Sequence, residues 1–299
     1  MEIKKLLPEI KKNVSLKNYT SFKIGGRARY FYLADNKNDL VKAIEAALEK
    51  KAPFFILGKG SNVLVSDKGY CGLVIKVETK KCKIEGPKII AEAGLDLQKL
   101  VVKAKNKNLK GLEWAAGIPG SLGGAIYGNA GAFGRSMKDV VKEVEVLEIK
   151  NKRAKIKTLT NKECGFGYRR SVFKKNKKLI ILSAVLQLKK GRKEEIEKKI
   201  ENYLKRRRER HPLNFPSAGS IFKNPKGISA GELIEKCGLK GKRIGNVKFS
   251  EKHANFIVNL GKGKAEEVKK IIALAKEKAK KDFGIKLEEE IQYLGVFHT

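Results

Sequence analysis

The chain has 299 residues, enough to bury a sizeable core in two or three domains, and its hydrophobic content of 41% excludes wholesale disorder. Lys plus Arg number 67 against 32 acidic residues, a net charge of +35, but in short runs such as Lys80-Lys81 and Lys177-Lys178 among periodic apolar residues. That distribution describes solvated faces rather than one basic arm for nucleic acid.

Four cysteines without a C-x-x-C pair and three histidines without ligand spacing speak against a metal site. The start, MEIKKLLPEIKKNVSL, has no uninterrupted apolar stretch, and no run approaches the roughly 18 apolar residues of a membrane span, so a soluble protein of a reducing compartment is expected.

Residues 38 to 50 carry Leu40, Val41, Ile44, Ala47 and Leu48 at helical spacing behind Asn38 or Asp39 as N-cap, with Pro53 after the end. Phe54 to Leu57 then reads as a buried strand, leading through Gly58-Lys59-Gly60-Ser61-Asn62 into the strand-like Val63 to Ser66. Short strands are expected near 72–77 and 88–94, and a helix from Asp96 to about Lys105. Residues 140 to 188 are strand-rich: VKEVEVLEI alternates and LIILSAVLQL is a continuous apolar run. From Lys193 a highly charged helical pattern runs to just before Pro212 as a connector, and helices follow near 230–237 and 265–282. The fold class is α+β with a boundary near residue 190.

Residues 111 to 134, GLEWAAGIPGSLGGAIYGNAGAFG, hold eight of the 29 glycines and no Lys or Arg, where the chain average gives about five basic residues. Glycine lets the backbone approach a ligand and present its N–H groups, and the scarcity of charge implies burial, so the segment reads as a wall against a planar or diphosphate-bearing cofactor. A tight interior turn is the competing reading. Gly58 to Asn62 is a second candidate anion nest, with a plain hairpin as its alternative. Its spacing is that of neither a Walker A loop nor a dinucleotide fingerprint, because Val63 opens a strand and not a helix.

The order of motifs adds specificity: NYTSFKIGGRA (18–28), LGKGSNVLVSDKGYCGLVI (57–75), the glycine segment (111–134), GYRRSVF (167–173), PSAGSIFKNP (216–225), AGELIEKCGLKGKRIGNVKFSEKHANFIVN (230–259) and GIKLEEEIQYLG (284–295). Together these blocks resemble the UDP-N-acetylenolpyruvoylglucosamine reductase family, in its shorter subtype, within the FAD-binding superfamily that also contains vanillyl-alcohol oxidase. The resemblance implies a FAD-binding domain of the vanillyl-alcohol-oxidase (PCMH) type over residues 1–190 and a smaller α+β substrate-binding domain over 191–299. It also implies a cytoplasmic, monomeric enzyme of peptidoglycan precursor synthesis, with no specific nucleic acid and no membrane as partner. In the family's reaction NADPH delivers hydride to FAD, and the reduced flavin reduces UDP-N-acetylglucosamine enolpyruvate to UDP-N-acetylmuramate.

By the same resemblance, Gly58, Lys59, Gly60, Ser61 and Asn62 cradle the FAD diphosphate, while Ala116, Gly117, Ile118, Pro119, Ser121, Gly123 and Gly124 line the flavin and adenine side. Hydride addition at the β-carbon drives electrons toward the α-carbon and its carboxylate, so the site needs stabilising donors and one proton. Ser220 matches the family's proton donor, Arg169 its catalytic arginine, and Glu290 its C-terminal catalytic glutamate, which must be protonated beside a developing dianion. Lys223 and Asn224 match contacts to the UDP diphosphate, with Tyr127 and Arg210 as further substrate contacts. A departure at His211-Pro212, where shorter-subtype members often have Gln before the proline, puts the neighbouring substrate contacts in question.

Two other readings compete: a flavin oxidase of the same superfamily, against which the C-terminal blocks speak, and a basic nucleic-acid binder resting on charge alone. Flavin absorbance separates the enzyme from the binder.

Overall fold

A computed structural model describes residues 3–151 and 153–297. The described chain divides into two compact units that are interleaved in sequence: the first takes residues 3–10, 31–59 and 73–207 apart from 152, the second takes 11–30, 60–72 and 208–297. The division at residue 190 is therefore a simpler partition than the packing. The connector helix Lys193–Arg210 stays with the first unit as far as Arg207, and two N-terminal segments join the second unit.

The first unit is built on a five-stranded antiparallel sheet in the order Arg153–Thr160, Val141–Lys150, Leu179–Gln187, Lys88–Glu92, Cys82–Glu85. Alternation decides its faces: Val144 and Val146 are buried, while Glu145 lies opposite Ser183, which lies opposite Glu92, on the other side. The edge strand Arg153–Thr160 carries Arg153, Lys155 and Lys157, charges that discourage a further strand from pairing there.

Against the apolar face pack the helix Leu97–Asn106 through Leu97, Leu100, Val101 and Ala104, and the helix Leu122–Gly128 through Leu122, Ala125 and Ile126. Trp114 is 2% exposed in the same core, and its indole N–H donates to Gly111 O at 3.0 Å. The expected helix near 38–50 spans Lys37–Glu49, and its cap is Asn36, whose Oδ1 accepts from Asp39 N at 3.0 Å, rather than Asn38 or Asp39. The strand Phe54–Leu57 pairs in parallel with Leu73–Lys76, while Val63–Val65 pairs in parallel with Gln292–Leu294. Two strands with different partners exclude the hairpin reading of Gly58 to Asn62.

The second unit carries an antiparallel sheet in the order Ser217–Ser220, Phe256–Asn259, Val247–Phe249, Arg243–Ile244. Its core joins Leu233, Val268, Ile271 and Ile272 of two helices, Ala230–Lys236 and Ala265–Phe283, to Phe22, Ile24 and Leu64 from the N-terminal segments. The longer helix has Lys264 at its N-cap position, and its first amides are met instead by Asp67, which accepts from Ala265 N at 2.9 Å and Glu266 N at 3.1 Å. Among the described residues no helix is long and apolar enough to cross a membrane.

Candidate functional site

Within the first unit the two glycine segments meet. A Cβ at Gly58 would stand 2.5 Å from Ser121 Oγ, so the backbone of one loop lies close against the side chain opening the other, and a larger residue there would have to displace that hydroxyl. Lys59 Nζ lies 3.1 Å from Asp96 Oδ2, and Asp96 forms a bridge with Ser121. Asp96 Oδ1 also caps the helix Leu97–Asn106, accepting from Gln98 N at 2.8 Å and Lys99 N at 3.1 Å. Burial would raise this carboxyl, but the Lys59 bond and the two amides outweigh it and hold it below its ordinary value.

The stretch Ala116, Gly117, Ile118, Pro119 is fixed by two side chains that sequence reasoning did not single out. Gln98 donates from Nε2 to Ile118 O at 2.6 Å and Ala115 O at 3.1 Å, and its Oε1 accepts from Gly117 N at 2.6 Å. Arg207, 7% exposed, donates from Nε to Ala116 O at 2.8 Å and from Nη2 to Trp114 O at 3.3 Å, with its guanidinium 5.2 Å from the Phe133 ring centroid. Burial lowers its pKa, though a guanidinium stays charged at any physiological pH. Gly117 has φ +77°, and a Cβ there would meet Arg207 Cδ at 2.7 Å. Burial along the segment is uneven: Ser121 is buried and Gly123 would place a Cβ 2.8 Å from Ala93 Cβ, but Pro119 and Gly124 are exposed. A wall against a cofactor was expected, and the segment has an anchored back and an open front.

These residues fit a FAD molecule. Glycines stand where a Cβ would collide with the neighbouring loop, the Lys59 ammonium, paired with Asp96, lies beside them, and at Gly124 a Cβ would meet only Ser121 Oγ at 3.4 Å, which leaves an open face beside a carbonyl-locked loop.

Tyr127 and Arg169 also lie in the first unit. Arg169 occupies the left-handed region at φ 52°, its Nη2 donates to Gly131 O at 3.2 Å, and its guanidinium sits 5.3 Å from the exposed Tyr168 ring. Half-buried Tyr127 has its hydroxyl bonded to Lys177 Nζ, whose ammonium also lies 4.8 Å from the ring centroid.

Ser220, Glu290, Gly60, Ser61, Asn62, Arg210, Lys223 and Asn224 belong to the second unit. Ser217 lies opposite Val258 but Ser220 opposite Phe256, so the ladder carries one extra residue, with Gly219 at φ +77° inside the bulge. A bulge re-aims the side chain that follows it, here Ser220. Residues 221–223 then pair with 288–290: Glu290 N donates to Ile221 O at 2.7 Å and Lys223 N to Glu288 O at 2.9 Å. Asn62 Nδ2 donates to Glu290 O at 3.3 Å and Asn62 O accepts from Gln292 N at 2.9 Å. Ser220 and Glu290 are thus brought together by backbone pairing, with Asn62 joined to the same segment.

The first two of the three consecutive glutamates differ in environment. Exposed Glu288 pairs with Lys223 Nζ at 2.7 Å, while Glu289 turns inward to Lys276 Nζ at 2.7 Å and to the Tyr293 hydroxyl. Burial alone would raise the Glu289 carboxyl, but those two partners hold it below its ordinary value. Asn224 is exposed and accepts from Ala230 N at 3.0 Å, and Arg210 is exposed. Behind Phe256 lie His253 and His211 with ring centroids 4.9 and 5.0 Å away. Burial lowers the His253 pKa, and its Nδ1 accepts from Asn255 N at 3.3 Å.

The α+β architecture and the joined glycine loops suit a flavin-binding unit interleaved in sequence with a second one. Residues 28–152 match the model of a FAD binding domain, and residues 211–294 match that of the UDP-N-acetylenolpyruvoylglucosamine reductase C-terminal domain. The UDP-N-acetylenolpyruvoylglucosamine reductase of Caldanaerobacter subterraneus subsp. tengcongensis is 46% identical over 297 residues, 98% of this chain and 97% of the relative. That of Thermotoga maritima is 44% identical over 276 residues, 92% and 95% of the two chains. The crystal structure of the Thermus caldophilus reductase superposes with a TM-score of 0.81 at 34% identity, covering 96% of this chain and all of that one. This chain belongs to the UDP-N-acetylenolpyruvoylglucosamine reductase family. The α+β expectation and the FAD cofactor are borne out.

Proposed function

We propose that this chain reduces UDP-N-acetylglucosamine enolpyruvate to UDP-N-acetylmuramate with NADPH as hydride donor, acting as a cytoplasmic monomer in peptidoglycan precursor synthesis. The observation that carries this reading is the seating of Gly58 against Ser121 beside the Lys59–Asp96 pair, in a chain of this family. FAD, when bound, supplies the hydride chemistry between NADPH and the enolpyruvyl double bond.

The chain's own residues bind, orient and supply one proton. Backbone amides of Gly58 to Asn62 hold a diphosphate, and Ala116 to Ser121 with Gly123 and Gly124 present a flat, carbonyl-locked face to a ring system. The Arg169 guanidinium binds the substrate carboxylate and stabilises charge arriving there during reduction. The Ser220 hydroxyl gives a proton to the α-carbon, and Glu290 donates a hydrogen bond at the same centre. Tyr127, Arg210, Lys223 and Asn224 bind the UDP portion. For Lys223 this means exchanging Glu288, whose side chain is 67% exposed, for a phosphate, at small cost because an exposed pair contributes about 0–1 kcal/mol.

Stopped-flow absorbance of Ser220→Ala tests the reading, because flavin reduction by NADPH needs no proton at the α-carbon and substrate reduction does. Bleaching by NADPH should stay normal, and reoxidation by substrate should slow by about 10²–10⁴-fold. Wild-type reoxidation would remove Ser220 from the chemistry, and a yellow wild-type protein that the enolpyruvyl substrate never reoxidises would end the functional assignment.

A further inference from the structure

The helix Leu122–Gly128 ends in Asn129, which takes the left-handed conformation at φ 43° and ψ 57° and is 4% exposed. Glycine fills that position best as far as the backbone is concerned, so a buried amide side chain there calls for another reason. Its Nδ2 donates to Gly167 O at 2.8 Å and its Oδ1 accepts from Lys138 N at 2.9 Å.

Gly167 opens a four-residue turn closed by two bonds to Arg170, N to O at 3.0 Å and O to N at 3.1 Å, and Arg169 is the left-handed residue inside it. An arginine in that conformation is held by its surroundings and not by preference. The surroundings are specific. Ser171 Oγ donates to Tyr127 O at 2.6 Å, Asn129 Nδ2 to Gly167 O, and Arg169 Nη2 to Gly131 O at 3.2 Å. Alternate residues 127, 129 and 131 thus tie down residues 171, 167 and 169 of the turn segment, and of these three bonds the one at 129 is made by a side chain of the glycine-rich side. Lys174 Nζ adds a bond to Arg169 O at 3.2 Å from the following helix.

We infer that Asn129 is a positioning residue for Arg169: its amide fixes the base of the strained turn and so sets where the guanidinium points. This inference rests on the reading of Arg169 as the ligand of the substrate carboxylate.

A double-mutant cycle tests it with substrate-driven reoxidation of the NADPH-reduced flavoprotein as readout, flavin content and melting temperature being recorded for each variant. Asn129→Gly keeps the left-handed cap and deletes the amide, and Asn129→Asp keeps the acceptor for Lys138 N while replacing the donor to Gly167 O. Both should retain FAD and bleach normally with NADPH, yet reoxidise on the order of 10²-fold more slowly, the cost of a displaced binding group. Combined with Arg169→Ala, neither should slow the reaction beyond Arg169→Ala alone, because a residue that acts only through Arg169 has nothing left to act on. Multiplicative effects, or wild-type rates in both Asn129 variants, would overturn the inference while leaving the Arg169 reading in place. A wild-type rate in Arg169→Ala would instead remove that reading and the inference with it.

Discussion

The first unit holds its glycine-rich segment by side chains borrowed from neighbouring regular elements, whereas the second unit holds Ser220 and Glu290 by strand pairing. Gln98 and Arg207 grip carbonyls from 114 to 118, and Asn129 grips the turn that carries Arg169. Around Ser220 more of the work falls to the backbone: a bulge at Gly219, then the pairing of 221–223 with 288–290, to which the Asn255 and Asn62 side chains add bonds at Phe222 and Glu290. The difference follows from composition. A segment poor in long side chains, so that a ligand can lie against its backbone, has few fasteners of its own, while a strand brings its own ladder of donors and acceptors.

The largest expected effect probes the open front of the first region. Gly124→Glu meets no protein atom closer than Ser121 Oγ at 3.4 Å from its Cβ, so it should fold, yet purify colourless because a carboxylate would be buried against the flavin. Gly123→Ala is the converse: its Cβ falls 2.8 Å from Ala93 Cβ, and unfolding stability should drop by roughly 1–3 kcal/mol whether or not FAD is added. Equal flavin content in Gly124→Glu and wild type would break the assignment of this face.

Next comes the fastening itself. Gln98→Ala strips partners from two carbonyls and one amide, which should cost roughly 1–3 kcal/mol and weaken FAD retention during dialysis, while Asp96 keeps the helix capped. Unchanged denaturant midpoint and flavin affinity would show that the loop holds itself.

The smallest effect is expected in the second region, where ladder bonds survive loss of a side chain. Glu289→Gln should lower stability at neutral pH by roughly 1 kcal/mol, leaving the pairing of 288–290 intact. The pH dependence has a definite sign. Because the folded carboxyl lies below its ordinary 4.5, its contribution is present above that value and lost as pH falls through the folded one, so wild type and Glu289→Gln should converge in acid denaturation curves. Parallel curves would assign Glu289 no role.

Sequence made the regular elements plain because their periodicity is local: Phe54–Leu57 was expected at those bounds, and the helices Leu97–Asn106 and Ala265–Phe283 within a residue or two. The glycine loops were visible through composition, though not which face of the segment would stay open. Fasteners were hidden for physical reasons. Gln98 sits on a helix among lysines and reads as solvent-facing, and Arg207 is one of three consecutive arginines of which only the fold decides which turns inward. Asn129 passes for a simple cap until Gly167, 38 residues away, arrives beside it. The interleaved units were equally out of reach, since they depend on pairings such as Val63–Val65 with Gln292–Leu294.

That last pairing bears on how the chain is made. Val63–Val65 leaves the ribosome long before residues 292–294 exist, and Phe22, Ile24 and Leu64 must wait for the same C-terminal half before their core can close. The first unit's sheet, complete once residue 187 has emerged, has no such delay. Vectorial synthesis therefore leaves three early apolar side chains and an unpaired strand exposed for most of translation, the condition in which nascent chains aggregate or recruit chaperones.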